Sequence, residues 1–282
     1  MAWDLYLHSF VYLVEALVLF ILGKYVFQWL HRGVSLEREL VQRDNLAMAI
    51  GMGGYLLGLT MALGGALWGT SASLTKGIVS MAGYGALATV LLNVSGYLND
   101  WLILTRSDAD KEIVEDQNSG VGMVTAASHV ATGLILNGVL SGEGGGIVAL
   151  LVFWLLGQVA LILAAKVYDR IMPYDVQLAM EKDNAAVGAA YAGVLLAIGN
   201  IVRFAVTGDF SSWAKSLTGF GISVLLGLVL LPMVRLATDK LILPGARLTD
   251  ELVNQERPNI GAGVTEAICY LSMSFLVGWS LH

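Results

Sequence analysis

The chain has 282 residues, of which 56% are hydrophobic and 13% charged, and its formal net charge is −6. Soluble domains carry about 25% charged residues, so the composition excludes an ordinary soluble protein, and the mixed, acidic charge offers no basic patch for nucleic acid. The single cysteine, Cys269, excludes a disulfide within the chain and a cysteine metal site.

Eight apolar runs are each long enough to cross a bilayer as an α-helix, which takes roughly 20 residues. In chain order they lie near 9–31, 46–69, 78–104, 120–141, 146–168, 185–206, 214–237 and 260–281. The runs do not alternate between apolar and polar residues, as the strands of a membrane β-barrel do. The sequence therefore predicts an all-α, polytopic bundle of about eight transmembrane helices whose surroundings are a lipid bilayer.

Basic residues are concentrated on one side of the predicted membrane. The loops after the odd spans contain Arg32, Arg38, Arg43, Arg106, Lys111, Arg170, Lys182, Arg235, Lys240, Arg247 and Arg257, whereas the opposite loops contain Lys76 and Lys215. Because positively charged loops stay in the cytoplasm, this bias predicts that both chain termini lie outside it.

The sequence repeats at an offset of 139 residues. The segment Asp100-x-Leu-Ile-Leu recurs at Asp239, and the pair Asp44-Asn45 recurs at Asp183-Asn184. A tandem duplication of a four-helix unit explains both matches, with a first unit over residues 1–143 and a second over residues 144–282. Four spans per unit make the two copies parallel rather than inverted.

Each even span opens with an asparagine: Asn45, Asn118, Asn184 and Asn259. An asparagine at this place is typical of an N-cap, whose side chain accepts a hydrogen bond from the first turn of the helix. A ring of asparagines that binds a ligand is the alternative. Small residues follow four and eight places later and predict a close-packing face on each helix, namely Ala49 and Gly53, Gly122 and Ala126, Gly188 and Ala192, and Gly263 and Ala267.

These segments resemble a known family, the YjfL-type inner-membrane proteins of domain of unknown function 350. The resemblance rests on Asn45-x-Ala-x-Ala, its copy at Asn184, the two Asp-x-Leu-Ile-Leu segments, and Asn259-Ile-Gly-Ala-Gly-Val-Thr-Glu-Ala in the last span. It covers nearly the whole chain and implies two tandem four-span units in a bacterial inner membrane, with both termini periplasmic. The first unit departs from the last motif, since Thr125 stands where the second unit has Glu266.

Ionisable residues inside the predicted spans are candidates for function, because burying a charge in hydrocarbon is costly. Glu15 and Glu266 are two such residues, and Thr125 and Tyr191 take the place of Glu266 in other repeats. Tyr270 follows Glu266 by one helical turn. The alternative is that these groups hold helices together, and Asn93, Asn137, Gln158 and Asn200 are interpreted in that way, as hydrogen-bond partners between helices.

The chain shows no phosphate-binding loop, no pair of metal-binding histidines and no catalytic constellation, so we expect neither an enzyme nor a bound cofactor. Two hypotheses remain for the function. In the first, Glu15, Thr125, Tyr191 and Glu266 line the path of a channel or transporter for ions or small polar solutes. In the second, a non-transporting envelope-stress scaffold recruits cytoplasmic proteins through its charged loops. Assembly into a homo-oligomer is compatible with either hypothesis.

Overall fold

The computed structural model describes residues 2–68, 73–106, 108–142, 144–243 and 245–281. Within these ranges, eight helices are long and apolar enough to cross a membrane. They are α1 (Ala2–Leu30), α2 (Leu46–Trp68), α3 (Leu74–Ile103), α5 (Ser119–Leu140), α6 (Gly146–Ile171), α8 (Ala185–Val206), α9 (Trp213–Ala237) and α11 (Ile260–Leu281). The eight predicted spans are confirmed, each with its own helix, because runs of this length and composition satisfy their backbone hydrogen bonds internally.

Short helices precede the later even spans at the end of the bundle that carries the four asparagines. They are α4 (Ala109–Val114), α7 (Val176–Glu181) and α10 (Leu248–Val253), and turns of π-helix lie at Arg38–Gln42 and Thr238–Ile242. We call this end of the bundle the asparagine end.

The helices of the even spans form a row in the order α2, α5, α8 and α11, and the most extensive contacts between helices in the described part of the chain lie between successive members. A Cβ atom added to Gly188 would meet the backbone of Gly120, and one added to Gly263 would meet the backbone of Ala186. Small residues let helix backbones approach this closely. The predicted close-packing face is therefore present on α5, α8 and α11.

The same face of α2 behaves differently. Ala49 and Gly53 are exposed, and a Cβ atom added to Gly53 would meet nothing within 4 Å. The expectation that this stripe packs inside the bundle is wrong for α2. The reason is its place in the row. Helix α2 is the first member, so no preceding member of the row covers that face.

The helices of the odd spans, α1, α3, α6 and α9, flank the row. Helix α1 packs on α2 and α3, whereas α11 packs on α8 and α9. The first and last spans therefore lie at different ends of the row. Glu15 and Glu266 belong to these two separate regions.

Candidate functional site

The four asparagines cap the helices that follow them. The Oδ1 atom of each accepts a hydrogen bond from the backbone N–H three residues later, at 3.0 Å for Asn45, Asn118 and Asn184 and at 3.1 Å for Asn259. The side-chain oxygens are therefore engaged in capping, as the N-cap interpretation predicts, and the first turn of each even helix gains a partner for one of its free N–H groups.

The side-chain amides of three asparagines also join neighbouring repeats. The Nδ2 atom of Asn45 donates to Ile113 O at 2.8 Å, that of Asn118 to Met180 O at 2.7 Å, and that of Asn184 to Leu252 O at 2.8 Å. Each acceptor lies in the short helix that precedes the next even span. The asparagines thus hold the loops at this end of the bundle in register with the helix row.

Glu39 supports the first of these caps. Its carboxylate accepts hydrogen bonds from Asn45 Nδ2 at 3.0 Å and from Arg43 Nη1 at 3.0 Å. Burial alone would raise the pKa of this carboxyl group, but the two hydrogen bonds and the attraction to Arg43 and Arg38 hold its pKa below the ordinary value. Glu39 is therefore a charged structural residue at the asparagine end.

The second unit encloses a buried charged pair between α9 and α11. Arg235 Nη1, in the last turn of α9, lies 2.6 Å from Glu266 Oε2 in α11, and the Glu266 side chain has no solvent exposure. Arg235 Nη2 also donates to Thr249 Oγ1 at 3.2 Å. This pair corrects the placement of Arg235, which the sequence assigned to a cytoplasmic loop.

Tyrosine rings surround the pair. Tyr168 stacks on Tyr191 with ring centroids 5.3 Å apart and meets Tyr270 edge-on at 6.3 Å. The guanidinium of Arg235 lies 5.9 Å from the ring centroid of Tyr174, a residue between α6 and α7. Burial raises the pKa of Tyr174 to about 12, so this phenol remains neutral beside the arginine. Glu266, Tyr270 and Tyr191 thus belong to one cluster, which also contains Arg235, a residue that the sequence did not assign to the site.

The first unit has a cavity where the second unit has this cluster. The cavity opens between α1, α2, α3 and α5 and has a volume of about 40 Å³, enough for a few water molecules or one small solute. Its polar lining includes Asn93, Asp100, Thr125 and His129. Thr125 therefore lies in a different place from Glu266 and Tyr270, and Glu15 lies in a third, half-buried on α1.

Hydrogen bonds fix the orientation of the cavity's polar groups. His129 Nδ1 lies 2.9 Å from Thr125 O, and Asn93 Nδ2 donates to the Tyr55 hydroxyl at 3.1 Å. Tyr55 in turn donates to Gly23 O at 2.9 Å. The Oγ1 atom of Thr125 is buried and has no hydrogen-bond partner among the described residues. The cavity is thus bounded by oriented side chains, one of which has an unused hydroxyl group.

One pair of equivalent positions explains the difference between the units. Gly96 lines the cavity, and the residue 139 places later is Arg235. A Cβ atom added to Gly96 would lie 2.9 Å from His129 Nε2. The missing side chain lets the imidazole ring of His129 pack against α3 in the first unit, whereas in the second unit an arginine occupies the equivalent position and reaches Glu266.

The four amides interpreted as links between helices do link helices. Besides the contact of Asn93 with Tyr55, Asn137 Nδ2 donates to Met61 O at 2.9 Å, and Asn200 Nδ2 donates to Ser274 Oγ at 3.0 Å. Gln158 Oε1 accepts from Asn99 Nδ2 at 3.0 Å. These predictions are confirmed. In a bundle surrounded by lipid, such hydrogen bonds add to the packing that holds helices together.

Fold and polar groups together define the class of protein: a multi-pass helical membrane protein made of two similar four-span units whose buried polar residues have diverged. The family described as Domain of Unknown Function (DUF350) matches twice, over residues 1–140 and 143–281. The chain belongs to this family, as two tandem units. It is similar to a UPF0719 transmembrane protein of Aquifex aeolicus (strain VF5), with 23% identity over 199 residues that cover 69% of this chain and 72% of the relative. No solved structure matches the chain.

Proposed function

We propose that this protein is a channel or transporter for ions or small polar solutes in a bacterial inner membrane, and that the cavity of the first unit is its binding site. The observation that carries the proposal is the difference at Gly96 and Arg235. The second unit fills the position with a charged pair, whereas the first unit keeps a space bordered by His129, Asn93 and Thr125. A few oriented polar groups in an otherwise apolar, concave space are typical of a binding site for a small molecule.

A second cavity at the opposite end of the bundle supports the proposal. It has a volume of about 790 Å³ and is lined by the loops that follow α5 and α8, together with Tyr84 of α3 and Lys215 of α9. On α2 and α5, Leu59, Ile135 and Leu136 lie between the residues that line the two cavities, and each has 0% exposure. Two cavities at opposite ends, with buried apolar side chains between them, suit a conformation in which the path is shut.

The test is flux through the purified protein in liposomes, measured for a panel of ions and small neutral solutes. Gly96→Leu places an apolar side chain in the cavity beside His129 and should abolish flux. Gly83→Leu is the matched control on the same helix, since a Cβ atom at Gly83 would meet nothing within 4 Å. Absence of flux for the whole panel, or equal flux through both variants, would refute the proposal.

The proposed orientation has the asparagine end in the cytoplasm and both termini in the periplasm. Cysteine labelling of intact cells tests it in a background that lacks Cys269. Asp116→Cys, in the loop before α5, should react with an impermeant reagent only after the cells are opened, whereas Ser211→Cys, in the loop before α9, should react from outside. The reverse pattern would invert the topology.

A non-transporting scaffold that recruits cytoplasmic partners is the second candidate, and the enclosed pair favours it. Glu266 is fully buried, and Arg235 neutralises its charge, as expected for a group that joins helices rather than one that meets a solute. Crosslinking in cells distinguishes the two candidates. A scaffold should capture a soluble protein through the loops that contain α4, α7 and α10, and the Gly96→Leu variant should capture it equally well.

A further inference from the structure

A set of buried polar residues leads from the cavity into the bundle. Thr125, Ser128 and Thr132 follow one another on α5 at spacings of three and four residues, which puts them on one face over about 10 Å. Thr132 Oγ1 lies 3.4 Å from Gln158 Oε1, which accepts from Asn99 Nδ2. We call these five residues the polar file. On α5 it begins at the cavity with Thr125 and ends with Thr132, one helical turn before the fully buried Leu136.

The polar file has unused hydrogen-bonding capacity. Thr125 Oγ1, Ser128 Oγ, Asn99 Oδ1 and Gln158 Nε2 are buried and lack a partner within the described part of the chain. Ser128 is 3% exposed, and Asn99 and Gln158 are each 1% exposed. Unpaired polar atoms so far from solvent are costly, and bound water or another ligand is the usual reason that they persist.

The chemistry of these atoms selects the ligand. Asn99 offers an oxygen acceptor and Gln158 an N–H donor, while the two hydroxyl groups can do either. Exchanging the oxygen and nitrogen atoms of both amides keeps their mutual hydrogen bond and again leaves one donor and one acceptor free. A cation would face an N–H group and find no carboxylate in the polar file. A neutral molecule that both donates and accepts satisfies every free atom.

The helix of the second unit that corresponds to α5 lacks its hydroxyl groups. At the offset of 141 residues that relates Thr125 to Glu266, Ser128 corresponds to Cys269 and Thr132 to Met273. Free cysteine and methionine are weak hydrogen-bonding groups. The hydroxyl face of α5 is therefore specific to the unit that has the cavity.

We propose that the polar file is a binding site for neutral, water-sized molecules that both donate and accept hydrogen bonds, and that it extends the cavity of the first unit. The inference deepens the proposed transport function and rests on it for its role, since it assigns the solute to small neutral polar molecules rather than to metal cations. The occupancy of the site itself can be measured without transport.

The test is a crystal structure of the full chain at a resolution that shows ordered water, after soaking with thallium(I) as a heavy monovalent cation. The expected result is density within hydrogen-bond distance of Asn99 Oδ1, Gln158 Nε2 and Ser128 Oγ, without anomalous scattering from thallium. An empty polar file, or thallium within it, would overturn the inference.

Liposome measurements separate this inference from the proposed function. Osmotic shrinkage reports permeability to water and formamide, and both should fall several-fold in Ser128→Ala. The control Thr60→Ala removes a hydroxyl that is exposed on α2 and bonded to its own helix at Leu56 O, so its permeability should equal that of the parent. Flux of cations without ordered water in the polar file would refute the inference and support the transport function. Ordered water without flux of any solute would support the binding site and refute the transport function.

Discussion

Arg235 and Glu266 join α9 to α11 by an ion pair of 2.6 Å whose side chains are 10% and 0% exposed. The sequence placed these residues in different compartments, one in a loop and the other inside a span. Their contact changes the expected behaviour of Glu266. A neutral replacement leaves the guanidinium of Arg235 without its carboxylate, so Glu266 contributes to folding even if it also has another role.

We expect Glu266→Gln to destabilise the protein, by about 3–5 kcal/mol if the loss resembles that of other broken buried pairs. Replacing both partners with apolar residues, as in Arg235→Met combined with Glu266→Leu, should recover much of this loss, because no charge is then left unpaired. Thermal unfolding in detergent measures all three proteins. Equal stability of Glu266→Gln and the parent would mean that the pair does not hold the helices together.

The helix row predicts how glycine positions respond to substitution. Gly188→Leu should lower the melting temperature strongly, because the side chain would enter the backbone of Gly120 on α5. Gly53 belongs to the small-residue stripe of α2, and a Cβ atom added there would meet nothing within 4 Å, so Gly53→Leu should change the melting temperature little. If the two variants melt alike, close backbone contact is not what stabilises the row.

The asparagine caps should differ in strength. Asn118→Ala removes both the cap on α5 and the hydrogen bond to Met180 O, whereas Asn259→Ala removes a cap at an exposed position. Loss of a cap costs about 0.5–2 kcal/mol, and we expect Asn118→Ala to exceed Asn259→Ala. Denaturation of the two variants under one condition gives the comparison. A larger effect at Asn259 would contradict the role assigned to the links between repeats.

Glu39 makes the stability of the fold depend on pH. Because the folded protein holds the pKa of this carboxyl group below its ordinary value, Glu39 stabilises the fold above the unfolded pKa, and the contribution is lost as the pH falls through the folded pKa. The parent should therefore be more stable than Glu39→Gln at neutral pH, and the two should converge at acidic pH. Melting temperatures across this range test the prediction, and a constant difference between the two proteins would contradict it.

Much of the fold was determined by features that act locally along the chain. A run of about 20 apolar residues forms a spanning helix whatever its neighbours are. Asn45, Asn118, Asn184 and Asn259 cap the turns directly after them, and small residues four places apart mark a close-packing face. These properties depend on spacing within one helix, so the sequence alone predicted the eight spans, the caps and the tandem units.

Tertiary structure decided which side chains meet across helices. Arg235 and Glu266 are separated by a loop and come together only because α9 packs beside α11. Thr125, which the sequence aligned with Glu266, faces a cavity because Gly96 stands where the second unit has Arg235. Whether a buried polar group finds a charge or a space depends on the residue that a neighbouring helix presents, and spacing within a single helix carries no information about that residue.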